Sequence, residues 1–238
     1  MAVPSLRFTE VRRRARYPGM QGAWSFDEGT GTAIPDSTGN TLMASTIGGN
    51  MGLTATAGIT WAAGHVSGTA LENAGTSGTA SVNITISGAA MTVMGWARPL
   101  DLTSGSSRPL FGIWDAANTS GSTFVAVWAQ RGDFGTPNVL QGNVRAGGVL
   151  NAINSAATLS VGTWSHVALT YDGSNMYLYK DGVQVGTTAQ SAAAYNGNAV
   201  FNVVPSPANA QVDDVRIFNV ALTQPEIAAF MTETVPIA

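Results

Sequence analysis

The chain of 238 residues contains no cysteine. Disulfides, thiolate nucleophiles and cysteine metal sites are therefore excluded, and no compartment can be read from a redox pattern. Charge is scarce as well: 11 basic and 14 acidic residues in all, with Lys180 the single lysine. No apolar run reaches the core of a signal peptide or the ~18–20 residues of a membrane span, which argues against leader-directed secretion and membrane insertion. The only two histidines, His65 and His166, are far apart in sequence and lack a second close ligand. Ordinary hydrogen-bonded histidines are expected, in place of a zinc site or a catalytic triad.

What is abundant is punctuation. The 28 glycines, 10 prolines and many Ser, Thr and Asn separate short runs bearing Val, Ile, Tyr and Trp. That pattern predicts an all-β sandwich, and one domain near this size would bury about 70–75% of its unfolded surface without a staple. The clearest hairpin runs from Met176 to Thr187, where Asp181-Gly182 supplies two positive-φ positions. In the preceding run Val167, Leu169 and Tyr171 share one face, and His166, Ala168 and Thr170 share the other. One short helix is predicted after Thr223-Gln224-Pro225-Glu226, which pairs an N-cap hydroxyl with a carboxylate three residues on and places proline in the first turn. No repeat of 20–50 residues is visible.

Six segments carry a family pattern. They are Trp24-Ser25-Phe26-Asp27-Glu28-Gly29-Thr30-Gly31 with the turn Asp36-Ser37-Thr38-Gly39-Asn40; Gly68-Thr69-Ala70-Leu71; Thr92-Val93-Met94-Gly95-Trp96 with Trp164-Ser165-His166-Val167; and Val212-Asp213-Asp214-Val215-Arg216-Ile217-Phe218. In this order and spacing they resemble the laminin-G-like (concanavalin A-like lectin) jelly-roll family over residues 20–232. The resemblance implies a two-sheet antiparallel jelly roll whose first and last strands lie side by side. It places a basic arm at 1–19 before the domain and a tail at 233–238 after it. One departure occurs after Leu71, where Glu72-Asn73-Ala74-Gly75 replaces the family's aromatic and Asp-containing turn.

The resemblance also implies candidate sites. Calcium, in a structural role, would be held by Asp36, Asn40 and Asp213; the alternative is that Asp36 caps its turn and Asp213 accepts loop amides. Trp24, Trp96 and Trp164 fall at family core positions. Trp114 and Trp128 lie on mid-chain strands, with Phe124 and Trp128 on one face and Gln130 and Arg131 just beyond. Trp114, Trp128 and Arg131 are thus candidates for stacking and hydrogen-bonding a sugar. If that face is the inner one, Trp128 is packing, and packing is the preferred reading. The jelly-roll glucanases of the superfamily carry catalytic carboxylates as Glu-x-Asp-x-x-Glu, whereas none of the five glutamates here has an Asp two residues later. Asp213 and Asp214 are adjacent and so face opposite sides of a strand. No enzyme is expected.

Charge is unevenly placed. Arg7, Arg12, Arg13, Arg14 and Arg16 against Glu10 give the first 20 residues a net +4 and leave −7 on the remainder. An arm of this kind is either a solvated tail or an assembly contact, and the assembly reading is preferred over nucleic-acid binding or a targeting peptide. With the small-residue, lysine-poor surface, it points to a non-enzymatic structural or adhesion module of a viral particle. A bacteriophage head-decoration or tail protein is the expectation: located on the virion, homo-oligomeric, and attached to other subunits through its arm. A carbohydrate-binding, lectin-like module is the alternative, and a glycan-directed enzyme the third.

Overall fold

A computed structural model of the chain describes residues 19–38, 52–66, 68–86, 90–103, 105–115, 123–131, 139–146, 149–190 and 197–233. The arginines of the arm and Asn40 lie outside the described residues.

Sixteen strands and one helix are described. The first sheet contains β1 (Met20–Trp24), β4 (Ile59–Ala63), β5 (Thr69–Asn73), β7 (Met91–Pro99), β12 (Ser165–Tyr171), β13 (Asn175–Lys180), β14 (Val183–Ala189) and β16 (Ala210–Phe218). The second contains β2 (Ala33–Ile34), β3 (Leu53–Ala55), β6 (Ala80–Ile86), β8 (Arg108–Asp115), β9 (Thr123–Gln130), β10 (Gln141–Ala146), β11 (Val149–Asn154) and β15 (Gly197–Val203). The spatial orders are β14-β13-β12-β7-β16-β5-β4, with β1 beside β16, and β11-β10-β9-β8-β15-β6-β3-β2. This is the antiparallel sandwich that the punctuation predicts, in the jelly-roll form that the resemblance implies. The first strand does pair with the last, Ala23 opposite Arg216 and Trp24 opposite Val215.

The core lies between the sheets. Trp24 is fully buried and stacks on Phe201 of the opposite sheet, ring centroids 5.0 Å apart and planes at 17°. Val167, Leu169 and Tyr171 point into this core, while Ala168 joins a second, smaller cluster with Met94, Tyr179, Phe218, Leu222, Ile227 and Phe230. That second cluster is where the helix α1 (Gln224–Met231) covers the outer face of the first sheet. Strand β12 is therefore buried on both sides. At the start of α1, the Glu226 carboxylate accepts hydrogen bonds from the Thr223 N–H and hydroxyl, both at 2.7 Å. These bonds hold the Glu226 carboxyl below its ordinary value. The β13–β14 hairpin turns on Asp181 and Gly182 at φ +50° and +76°, as its sequence demands.

The family motifs have local physical reasons. Thr69 donates its hydroxyl to the Phe26 carbonyl at 2.6 Å and its N–H to the Asp27 carboxylate at 3.3 Å, so the segment after the first strand is stitched to the start of β5. Gly68 sits at φ +70°, where a side chain is strained, and a Cβ there would lie 1.7 Å from the Asp27 oxygen and displace that carboxylate. The turn at Asp36 latches onto β1: its carboxylate accepts the Ala23 N–H at 3.0 Å, and Ser37 donates to the Ala23 carbonyl at 2.9 Å. Asn73, at the departure from the family pattern, is fully buried and donates to the carbonyls of Gly78 and Val204 at 2.8 and 2.9 Å. It ties the β5–β6 connection to the segment following β15.

Two expectations are corrected here. Trp96 and Trp164 are half-buried and lie outside both core clusters, because alternation along β7 sends Val93 and Ala97 inward and Trp96 outward. The face rule for Asp213 and Asp214 also fails. The register of β16 against β7 slips between Asp213 and Arg216, Asp214 takes φ +48°, and both aspartates are buried. Gly95 faces this bulge closely enough that an added Cβ would meet Val215 Cγ2 at 2.8 Å and the Asp213 carbonyl oxygen at 3.2 Å.

Candidate functional site

On the outer face of the second sheet, β8, β9 and β10 bring several chemistry-bearing side chains together. The inward set is fixed by neighbours: Ile113, Val125, Val127, Ala129 and Val144 are in the core, and a Cβ on Gly142 would press on Leu169 and Leu178 of the first sheet. Alternation therefore sends Trp114, Trp128, Gln141 and Asn143 outward. Trp114 and Trp128 meet edge to face, centroids 6.3 Å apart at 68°. The Arg131 guanidinium lies over the Trp128 ring, 4.8 Å from its centroid. The Trp128 indole Nε1 donates to Asn143 Oδ1 at 3.1 Å, so the ring leans from β9 across β10. Trp114, Trp128 and Arg131 are half-buried.

The three residues singled out for sugar contact thus form one cluster, and Trp128 is on the outside of the sandwich, contrary to the packing reading. Phe124 shares Trp128's side of β9 by alternation and is buried, 7% exposed. Gln130 is buried too, and donates its amide to the Thr103 carbonyl at 2.6 Å. Sequence reasoning missed Gln141 and Asn143. The alternation of Gln141, Asn143 and Arg145 with Gly142, Val144 and Ala146 was the available signal. Both are 1% exposed although they face away from the core.

A second constellation lies on the outer face of the first sheet. His65 stacks flat on Trp96 with centroids 3.5 Å apart, and Trp96 meets His166 edge-on at 5.4 Å. The two histidines, distant in sequence, therefore bracket one indole. His166 is fully buried, and desolvation first, then the nearby Arg216 charge and His65, push its pKa down to about 3. Asp213 accepts the His65 N–H at 2.8 Å and the Asp214 N–H at 2.9 Å. Burial, with Asp214 and Asp27 nearby, nevertheless raises its pKa to about 7.

Of the three calcium candidates, Asn40 lies outside the described residues. Asp36 spends its oxygens on the Ala23 and Thr38 N–H groups and the Thr38 hydroxyl, while Asp213 serves the β4–β5 loop. Among the described residues no three acidic or histidine side chains are grouped to hold a metal, and calcium asks for 6–8 oxygens. The alternative reading, turn cap and loop acceptor, describes both carboxylates as they stand.

A two-sheet antiparallel sandwich with its terminal strands paired and an outward aromatic cluster defines a lectin-like jelly-roll module. The chain belongs to the concanavalin A-like lectin/glucanase superfamily, whose family model matches residues 73–228. Among solved structures it is similar to domain 4 of AbnA, an extracellular arabinanase from Geobacillus stearothermophilus, in complex with arabinotriose. The two are 20% identical with a TM-score of 0.65, covering 89% of this chain and 97% of that domain. It is also similar to the ligand-binding domain of botulinum neurotoxin serotype D in complex with N-acetylneuraminic acid: 12% identity, TM-score 0.63, 90% of this chain and 51% of the other. The binding domain of Paraclostridial mosquitocidal protein 1 gives 15% identity and a TM-score of 0.61, with 89% and 51% covered. The chain thus spans about half the length of the toxin chains. At these identities the likeness is one of fold. No curated protein sequence matches the chain.

Proposed function

We propose that this protein is a non-enzymatic, glycan-binding adhesion module that holds sugars on the outer face of its second sheet, with Trp114, Trp128 and Arg131 as contact residues. The observation that carries this reading is the gathering of two indoles and a guanidinium, half-buried, on the solvent side of a sheet whose other side is the core. Indole faces take the apolar side of a sugar ring, and polar groups at their rim take its hydroxyls. The sugars seen with the arabinanase domain and the toxin domain support the class of ligand. The absence of a Glu-x-Asp-x-x-Glu array supports binding without hydrolysis. The opposite charges of arm and body support attachment of a homo-oligomeric module to a larger assembly, a phage particle being the setting proposed.

A glycan array, followed by titration calorimetry, tests the reading. Wild-type protein is expected to bind a defined glycan that Trp114→Ala and Trp128→Ala proteins do not. Equal binding by wild type and both variants would remove this face from consideration. Deleting residues 1–18 is expected to abolish assembly and leave glycan binding intact; unchanged assembly would defeat the role given to the arm.

A further inference from the structure

Gln141 has an unusual position. It lies opposite Trp128 in the β9–β10 register, and it points away from the core because Gly142 beside it points inward against Leu169 and Leu178. Its side chain is nevertheless 1% exposed, and neither its amide nitrogen nor its amide oxygen has a hydrogen-bond partner. Asn143, two residues on and also 1% exposed, has its Oδ1 taken by the Trp128 indole while its Nδ2 has no partner. Buried amides left in this state are costly, and native proteins rarely leave them so. Two of them on one face of β10, next to an indole that bonds one of them, form a polar socket within the aromatic cluster.

We infer that Gln141 and Asn143 are the specificity-determining hydrogen-bonding groups of the sugar site, and that they select a neutral sugar carrying two adjacent hydroxyls. This inference rests on the glycan-binding reading of the Trp114–Trp128 face. The open valences of the socket are the amide N–H groups of both residues and one acceptor, Gln141 Oε1. A vicinal diol meets this set: one hydroxyl donates to Gln141 Oε1, and both accept from the two amides. A carboxylate brings acceptors only, and would set its charge against Gln141 Oε1. In the free protein Arg131 covers the Trp128 ring. Ligand entry moves the guanidinium to the rim, the sugar ring takes its place on the indole, and the diol reaches the socket.

The test uses the full chain and a panel of probes: arabinotriose, xylotriose, cellotriose and mannotriose as neutral trisaccharides, and sialyllactose as an acidic one. Wild type is expected to bind at least one neutral trisaccharide more tightly than sialyllactose. Gln141→Met, which keeps the side-chain volume and removes both amide atoms, is expected to weaken that binding by about tenfold or more, as loss of two hydrogen bonds implies. The same variant is expected to melt at the wild-type temperature or above, because it removes unpartnered buried polar atoms. A Gln141→Met protein that binds like wild type, while Trp128→Ala does not bind, overturns this inference and leaves the site standing. So does a markedly lower melting temperature, which would mean that the amide is satisfied within the fold. Tighter binding of sialyllactose overturns the neutral class. No binding of any probe by wild type overturns both the inference and the reading beneath it.

Discussion

The His65 N–H donates to the Asp213 carboxylate at 2.8 Å across 148 residues of chain, and so ties the β4–β5 loop to the bulge in the last strand. Its electrostatics predict a pH signature. Folded Asp213 keeps its proton to about pH 7, against about 3.8 for the ordinary carboxyl, chiefly because it is desolvated. Its stabilisation is therefore complete below about pH 4 and is lost as the pH rises through 7. His166 acts oppositely: at about 3, against 6.5, it stabilises fully above about pH 6.5 and less as the pH falls toward 3. The difference in unfolding free energy between wild type and Asp213→Ala, measured in urea, is expected to fall from about pH 4 to about pH 7. A difference constant across that range would refute the assignment.

Gly95→Ala probes the bulge itself. Its new methyl would lie 2.8 Å from Val215 Cγ2 and 3.1 Å from Val215 Cα, and backbone on two strands has to shift to accept it. A cost of about 1–3 kcal/mol is expected, as for other overpacked sites. Denaturant melts that superimpose on wild type would show that the bulge yields freely.

The two kinds of tryptophan separate cleanly by mutation. Trp24→Ala removes a fully buried ring stacked across the sandwich and is expected to cost about 3–5 kcal/mol without any specific effect on ligand. Trp128→Ala removes a half-buried outer ring and one hydrogen bond to Asn143, for less than about 2 kcal/mol, and should abolish sugar binding. Equal destabilisation by the two changes would place Trp128 in the core after all.

Because Asp36 and Asp213 serve separate backbone segments, thermal stability is expected to be indifferent to added calcium and to chelator. Asp36→Ala should still cost about 1–3 kcal/mol, since the Ala23 amide it holds is left without that acceptor. A melting temperature that rises with calcium and falls with chelator would restore the metal.

Much of the fold was legible in the chain because it rests on local chemistry. Asp181-Gly182 can only make a tight hairpin turn, the Thr223–Glu226 pairing starts a helix, and the Val167, Leu169, Tyr171 alternation marks a strand with an inner face. The pairing of the first strand with the last was implied by the family resemblance that the motifs carry, and the structure keeps it. Even the cluster of Trp114, Trp128 and Arg131 could be nominated by elimination, as aromatics and a cation that the framework did not claim.

What only the tertiary structure decided is which face looked where and which groups met. Alternation in a sequence distinguishes two faces of a strand but does not say which is inner. That choice is made by the opposite sheet, and it put Trp96 and Trp128 outside and left Trp24 within. A bulge shifts the count by one residue, so the two-sided rule for Asp213 and Asp214 failed at the one place where β16 bends. His65 met Trp96, and Gln141 lost its solvent without gaining a partner, through contacts between segments far apart in the chain. Hydrogen-bond satisfaction is a property of the folded surroundings, and residue type alone carries no record of it.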